Sequence, residues 1–369
     1  MGHDRCYRHR VTEKYYINSA TGGSDFLKWD GSSEFPNPWA RSTCGIGYLP
    51  CNGLLYIGPE ACSCNNLVLM TAMNALASDP ELKKPGEQVK VETRVRLEKG
   101  PAYGKVNAPK AKGPAWPTYR GNMARGGFTS QTLSPDLKPK WKRKVQTTAS
   151  APVIAEGKVF LSDIDAFAVC ALSIDDGSEL WRYTTGSRVD SAPTYYEGML
   201  LFGSHDGWVY CLRASDGTLA WRFKDLPDRL ISAYGRLESA WPVFGSVLVQ
   251  NDMVYFGAGR NSFLDGGIFL YALEPATGKV LHRTSLAGPY GPDGFPVMNS
   301  KTGAHGIQGA KNDVLSGNGE LVYLRHKVFQ KDLSEVEDTK INTPHLIAVP
   351  GFLEDTPHHR TFWTIDTTI

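Results

Sequence analysis

The sequence predicts an all-β chain whose four-stranded antiparallel sheets repeat around an axis, a β-propeller of about six to eight blades with its ends incomplete. Three observations predict it. Residues 171–182, 211–222 and 272–283 share one register, in which Asp176, Asp216 and Thr277 precede Gly177, Gly217 and Gly278, and Trp181, Trp221 and His282 follow. That register returns after 40 residues and again after 61. Turn residues, above all Asp-Gly, separate short apolar runs, and Asp-Gly between alternating strands is a strong hairpin signal. The 38 glycines, 23 prolines, 16 tyrosines and 9 tryptophans suit many short strands joined tightly.

The repeat unit is clearest over residues 150–223. An inner strand at Ala151-Pro152-Val153-Ile154 turns at Glu156-Gly157 into Lys158-Val159-Phe160-Leu161. A third strand over residues 167–172 turns at Asp176-Gly177 into the outermost strand, Leu180-Trp181-Arg182-Tyr183. The next copy runs through Ala192-Pro193-Thr194-Tyr195, then residues 199–202 and 208–212, and ends on Ala220-Trp221-Arg222-Phe223. Trp181 and Trp221 are expected to close the gap between neighbouring blades, each burying on the order of 200 Å². His282 leaves the third copy without that wedge.

Weaker copies of the second strand occur at residues 52–57, 251–256 and 318–324, placing blades near 1–30, 43–78, 147–184, 188–224, 236–285 and 308–369. Residues 1–79 are expected to hold degenerate blades with a cysteine cluster, and 80–115, rich in Lys, Glu, Pro and Gly, a linker or extended loop. Residues 116–369 then form the repeat blades of the same propeller. Residues 225–240 read as an insertion on one rim, and 288–309 as a second long polar connection. Long connections on a rigid scaffold are where function concentrates.

A net charge of +2 supplies no field for nucleic acid, and no run of eighteen apolar residues offers a membrane span. The start, Met1-Gly2-His3-Asp4-Arg5, lacks the apolar core of a secretory signal. Cys170 and Cys211 lie in apolar strands and read as inert buried thiols. Cys6, Cys44, Cys62 and Cys64 are disulfide candidates, Cys62 and Cys64 pairing outward because neighbours so close bridge poorly. Cys51 is the odd one out. A thiolate metal site and free thiols are the other readings, although no Cys-x-x-Cys knuckle is present. The nine histidines show no metal-ligand spacing. GxSxG and phosphate-loop motifs are absent.

Polar clusters at the blade ends are the candidate ligand-binding face. Ser187-Arg188-Val189-Asp190-Ser191-Ala192 and Tyr234-Gly235-Arg236-Leu237-Glu238-Ser239-Ala240-Trp241 align as Arg-x-Asp/Glu-Ser-Ala, each ahead of an inner strand. His205, Asp206 and Trp208, and Arg260 and Asp265, fall between second and third strands and reach the same face. The candidates are therefore Arg188, Asp190, Ser191, His205, Asp206, Trp208, Tyr234, Arg236, Glu238, Trp241, Arg260 and Asp265. Arginine, carboxylate and aromatic groups around a channel suit a carboxylated or sugar-like ligand. The alternative is that Arg188 with Asp190 and Arg236 with Glu238 are ion pairs stitching blades together.

The Asp-Gly-x-Leu-x-Trp units, introduced by Trp116-Pro117-Thr118-Tyr119-Arg120-Gly121-Asn122-Met123-Ala124-Arg125, resemble the PQQ-like β-propeller repeat family. That family includes quinoprotein alcohol dehydrogenases and propeller lipoproteins of outer-membrane protein assembly. Residues 5–8, 50–56, 61–64 and 351–363 are similar to stretches in planctomycete-type PQQ-binding-like repeat proteins. The resemblance covers most of the chain and implies an eight-bladed or similar propeller in the periplasm or outside the cell. A working quinoprotein dehydrogenase of this kind needs Ca²⁺, an Asp base, an aromatic floor and basic groups in one funnel. Neither adjacent cysteines nor a CxxCH haem motif is present. The reading is thus a binding scaffold for a protein partner or a carbohydrate-like ligand, with no cofactor specified by the residues themselves. The alternatives are a PQQ- and Ca²⁺-dependent oxidoreductase using Arg188, Asp190, Arg236, Glu238 and Trp241, or a propeller subunit of a larger redox complex.

Overall fold

The computed structural model describes residues 8–18, 23–35, 37, 45–58, 73–78, 91–107, 115–233, 235–292, 297, 309–336, 346–348, 352 and 363–365. Three four-stranded meanders carry the fold. Blade I comprises Val153–Ala155, Lys158–Asp163, Ala168–Ser173 and Glu179–Thr184. Blade II comprises Thr194–Tyr196, Met199–Gly203, Val209–Arg213 and Leu219–Lys224. Blade III comprises Leu248–Gln250, Met253–Ala258, Ile268–Leu273 and Val280–Leu286. Among the described residues, blade IV has three strands, Ser316–Gly317, Val322–Leu324 and Lys327–Phe329. The first strands of consecutive blades touch one another, so they form the inner wall. The second and third strands are buried nearly throughout, which is why they read as continuous apolar runs. Each complete blade carries a register shift at one equivalent place, Ala171/Leu172, Cys211/Leu212 and Ala272/Leu273. The chain is an all-β propeller of the predicted kind, and no helix among the described residues is long and apolar enough to cross a membrane.

The tryptophan register has a direct physical cause. Trp141, Trp181 and Trp221 each donate the indole N–H to a carbonyl in the following blade's third-to-fourth-strand turn, to Ile174 at 3.0 Å, Ala214 at 3.1 Å and Pro275 at 2.9 Å. Each ring lies flat on that turn's glycine. A Cβ at Gly177, Gly217 or Gly278 would come within 2.6, 2.6 and 2.8 Å of the indole, and all three glycines have φ near +70°. Glycine is thus required twice over, by backbone conformation and by contact.

His282 occupies the next place in that series. The turn it faces reads Asp332-Leu333-Ser334-Glu335, a copy of Asp176-Gly177-Ser178-Glu179 that retains the Asp-to-Ser turn bonds. Where no indole arrives, leucine stands in the glycine position at φ 65° and is buried in the core between blades III and IV. His282→Trp alone is therefore expected to destabilise by about 1–3 kcal/mol through overpacking, and adding Leu333→Gly to recover much of that loss in a double-mutant cycle of thermal melts.

Outside the regular blades, two further sheets pair Arg10–Val11, Tyr15–Asn18, Asp25–Lys28 and Glu34–Phe35, and Tyr48–Cys51, Leu54–Ile57 and Asn74–Ala77. They share a small core of Ile17, Tyr48, Leu55 and Ile57. Within the segment expected to be linker, Arg96–Lys99 forms a fifth strand on the outer edge of blade II, with Trp221 opposite Lys99 and Phe223 opposite Leu97. The 225–240 insertion is a hairpin, Leu230–Ala233 with Arg236–Ser239, so the inner strand of blade III starts at Leu248 and not directly after Trp241. A pair of strands, Leu346–Ala348 and Trp363–Ile365, follows blade IV. Cys170 and Cys211 are buried free thiols and Cys51 an exposed one. Cys6, Cys44, Cys62 and Cys64 lie outside the described residues.

Candidate functional site

Connections between blades and between second and third strands share one face of a propeller, and here three of them converge on His205. Its Nε2–H donates to Asp190 Oδ2 at 2.7 Å and its Nδ1–H to Glu238 Oε2 at 2.8 Å. Arg188 Nε donates to the other Glu238 oxygen at 2.8 Å. The second Asp190 oxygen accepts the Gly245 amide at 2.9 Å and the Ser191 hydroxyl at 3.0 Å, and Ser191 Oγ accepts the Ser246 amide. His205 and Glu238 are buried, and Arg188 and Asp190 are half-buried.

Burial alone would push His205 toward the neutral form. Asp190 and Glu238, one on each ring nitrogen, overcome that and carry its pKa up to about 9. Burial likewise works against the two carboxylates, but His205, joined at Glu238 by Arg188, holds both below the usual carboxylate range. Two carboxylates face two cations, so the cluster is formally neutral at pH 7. A half-satisfied buried network is worse than none, and this one is engaged at every ionisable group. The predicted local pairs, Arg188 with Asp190 and Arg236 with Glu238, are exchanged for pairs between elements: Arg188 meets Glu238, Asp190 meets His205, and Arg236 reaches the Asp165 carbonyl at 2.9 Å while lying over the Phe167 ring.

The remaining candidates form two neighbouring groups. Asp265 accepts Arg260 at 2.5 Å and Arg229 at 3.0 Å, and its carbonyl accepts the buried Trp241 indole at 2.9 Å. Asp206 accepts the Gly186 amide and the Tyr210 hydroxyl, while Arg222 and Arg96 lie over the Trp208 ring at 4.4 Å and 5.4 Å from its centre. Arg96, on the added fifth strand, also bonds Asp228. Tyr234 lies outside the described residues. Among the described residues, no group of three or more His, Cys, Asp or Glu side chains has metal-holding geometry.

Sequence reasoning missed what the cluster holds. Glu238 and Arg236 lie on the inward side of the 230–239 hairpin, and the Ser239 amide donates to the His205 carbonyl at 2.8 Å. In the hairpin register Leu230 stands opposite Ser239 and Leu237 opposite Ser232, so both leucines share the other side. They are 61% and 65% exposed. The period-two alternation of Arg236-Leu237-Glu238 was the available signal for that arrangement.

The pH dependence of folding follows from these shifts. The folded pKa of His205 is raised, so its contribution is fully present below about pH 6.5 and lost as pH rises through about 9. Asp190 and Glu238 are lowered, so theirs is present above about pH 4 and lost as pH falls further. Thermal melts across pH 3–10 are expected to show a plateau between those limits, and in His205→Ala the alkaline fall attributable to this group disappears.

The family model described as outer membrane protein assembly factor BamB matches residues 130–355. Among curated relatives, BamB of Burkholderia pseudomallei is 26% identical over 49% of this chain and 43% of its own length. BamB of Xanthomonas campestris is 32% identical over 22% of each. The chain therefore spans less than half the length of these relatives. Among solved structures, BamB from Moraxella catarrhalis superposes with a TM-score of 0.36 at 14% identity, covering 94% of this chain and 79% of that one. The quinohemoprotein alcohol dehydrogenase from Pseudomonas putida gives 0.42 at 19% identity over 58% and 34%. With most of its repeat region inside that family match, the chain belongs to the PQQ-like β-propeller repeat family whose model carries the BamB description.

Proposed function

We propose that the chain is an extracytoplasmic propeller scaffold that docks a protein partner in outer-membrane protein assembly, through the face carrying the 230–239 hairpin. The observation that carries this reading is the hairpin itself. Ionic contacts on its inner side fix it in place, and its outer side presents Leu230 and Leu237 to solvent. Exposed leucines on a rigid, charge-anchored hairpin suit a protein surface better than a sugar. The neighbouring Arg and carboxylate groups, which a glycan or carboxylated ligand would need, are bonded to each other. Family membership and the relatives' description support the assembly context.

A photo-crosslinking amino acid at Leu230 or Leu237 is expected to capture an outer-membrane assembly protein in producing cells. The same probe at exposed Glu197, on the opposite face, is expected not to. Equal capture from both faces, or none from the hairpin, contradicts the reading. Leu230→Ser with Leu237→Ser is expected to weaken partner binding at least about tenfold, in the range of interface hot spots, with an unchanged melting temperature.

A further inference from the structure

We infer that residues 116–125 are a built-in plug of the propeller axis, pinned by Arg125, and that they take the space a quinone cofactor would need. Their hydrogen bonds reach the inner strands or the residues leading into them in four successive blades. Trp116 and Ile154 of blade I exchange both backbone bonds, at 2.8 and 2.9 Å. The Tyr195 amide of blade II donates to the Pro117 carbonyl at 2.7 Å, and the Thr118 and Thr194 hydroxyls meet at 2.9 Å. The Gly317 amide of blade IV donates to the Met123 carbonyl at 2.9 Å.

Arg125 joins these contacts. Its side chain is fully buried, and the guanidinium donates to the Leu315 carbonyl at 3.0 Å, the Val247 carbonyl at 3.1 Å, the Tyr119 carbonyl at 3.2 Å and Thr118 Oγ1 at 2.5 Å. These acceptors are neutral oxygens, and the planar fork of arginine can serve them together where lysine could not. The backbone of Arg125 stands at φ 56° and that of Arg120 at φ 55°, conformations kept by Arg120 Nε on the Arg125 carbonyl and the Gly127 amide on the Arg120 carbonyl. A cavity bordered by Leu315, whose carbonyl accepts Arg125, and by Phe244, Ser246, Phe256, Gly257 and Asp313 measures about 10 Å³, the room of a single water.

Resemblance to quinoproteins implies PQQ with Ca²⁺ in the funnel, and the residues present do not fit it. Carboxylates that precede the inner strands of blades II and IV are already committed, Asp190 to His205 and Gly245, and Asp313 to the Val314 and Phe352 amides. The cation at the axis serves the chain's own carbonyls.

The test combines ligand titration with amide exchange on the whole chain. PQQ with Ca²⁺ is expected to leave the melting temperature of the wild type unchanged and to show no bound quinone absorbance. Arg125→Met is expected to lower the melting temperature by on the order of 5–10 °C. It should also speed exchange of the Ile154, Tyr195 and Gly317 amides together by at least about tenfold, although they belong to three different blades. Should that variant not fold, Thr118→Val, which removes an acceptor of Arg125 and the partner of Thr194, is read at the same three amides. One-to-one quinone binding by the wild type, or unchanged exchange at all three amides, overturns the inference. Neither result bears on crosslinking at the hairpin, so the two proposals fail separately.

Discussion

Replacing Trp221 by alanine is expected to lower the folding free energy by about 3–5 kcal/mol, the range for removing a large aromatic side chain from a core. Trp221 is fully buried and belongs to the cluster that also contains Tyr271 and Phe256 of blade III. Its removal empties the joint between blades II and III, strips contact from Gly278, and leaves the Pro275 carbonyl without its donor. Trp181→Ala should cost less, because that ring is only half-buried, although it makes the same contacts with Gly217 and Ala214. Chemical denaturation of both variants checks the order. Equal losses would mean that the joints do not depend on burial of the ring.

The second large effect is at the face. His205→Ala leaves Asp190 and Glu238 in their buried setting with Arg188 as the remaining cation of the cluster. Breaking a buried charge pair from one side costs about 3–5 kcal/mol, most of it the penalty of the abandoned charge. Double replacement, His205→Leu with Glu238→Gln, removes a charge of each sign and is expected to be milder than His205→Ala alone. Urea denaturation at pH 6 compares them. A double variant worse than the single one would show that the network contributes through shape and not through charge balance.

Much of the fold was legible because its period is written in glycine and tryptophan. Gly177, Gly217 and Gly278 are irreplaceable where an indole lies on them, so the repeat survives in the letters. Blade IV uses the same turn, but Leu333 replaces glycine once His282 replaces tryptophan, and the signature vanishes while the geometry persists. Arg96–Lys99 was hidden by its surroundings. Its alternation, Val95-Arg96-Leu97-Glu98, is a strand pattern, but the Lys- and Pro-rich stretch before it reads as linker. At the face, gathering Arg188, Asp190 and His205 needed only the repeat register, whereas Glu238 joins them from the 225–240 hairpin. Which cation meets which carboxylate depends on how the 225–240 insertion folds back, and that is a tertiary choice no local pattern carries. Arg125 was missed for a related reason. A buried arginine whose partners are carbonyls from several blades has no complementary residue in the sequence to announce it.

In the proposed function, the buried ions hold the hairpin in its docking position. Amide hydrogen exchange of residues 230–240 in the wild type and in Glu238→Gln tests this directly. The prediction is at least about tenfold faster exchange at Ser239 and its hairpin neighbours, a local opening, with the core amides of Val169, Tyr210 and Leu270 unchanged. Hairpin exchange as slow in Glu238→Gln as in the wild type would contradict it.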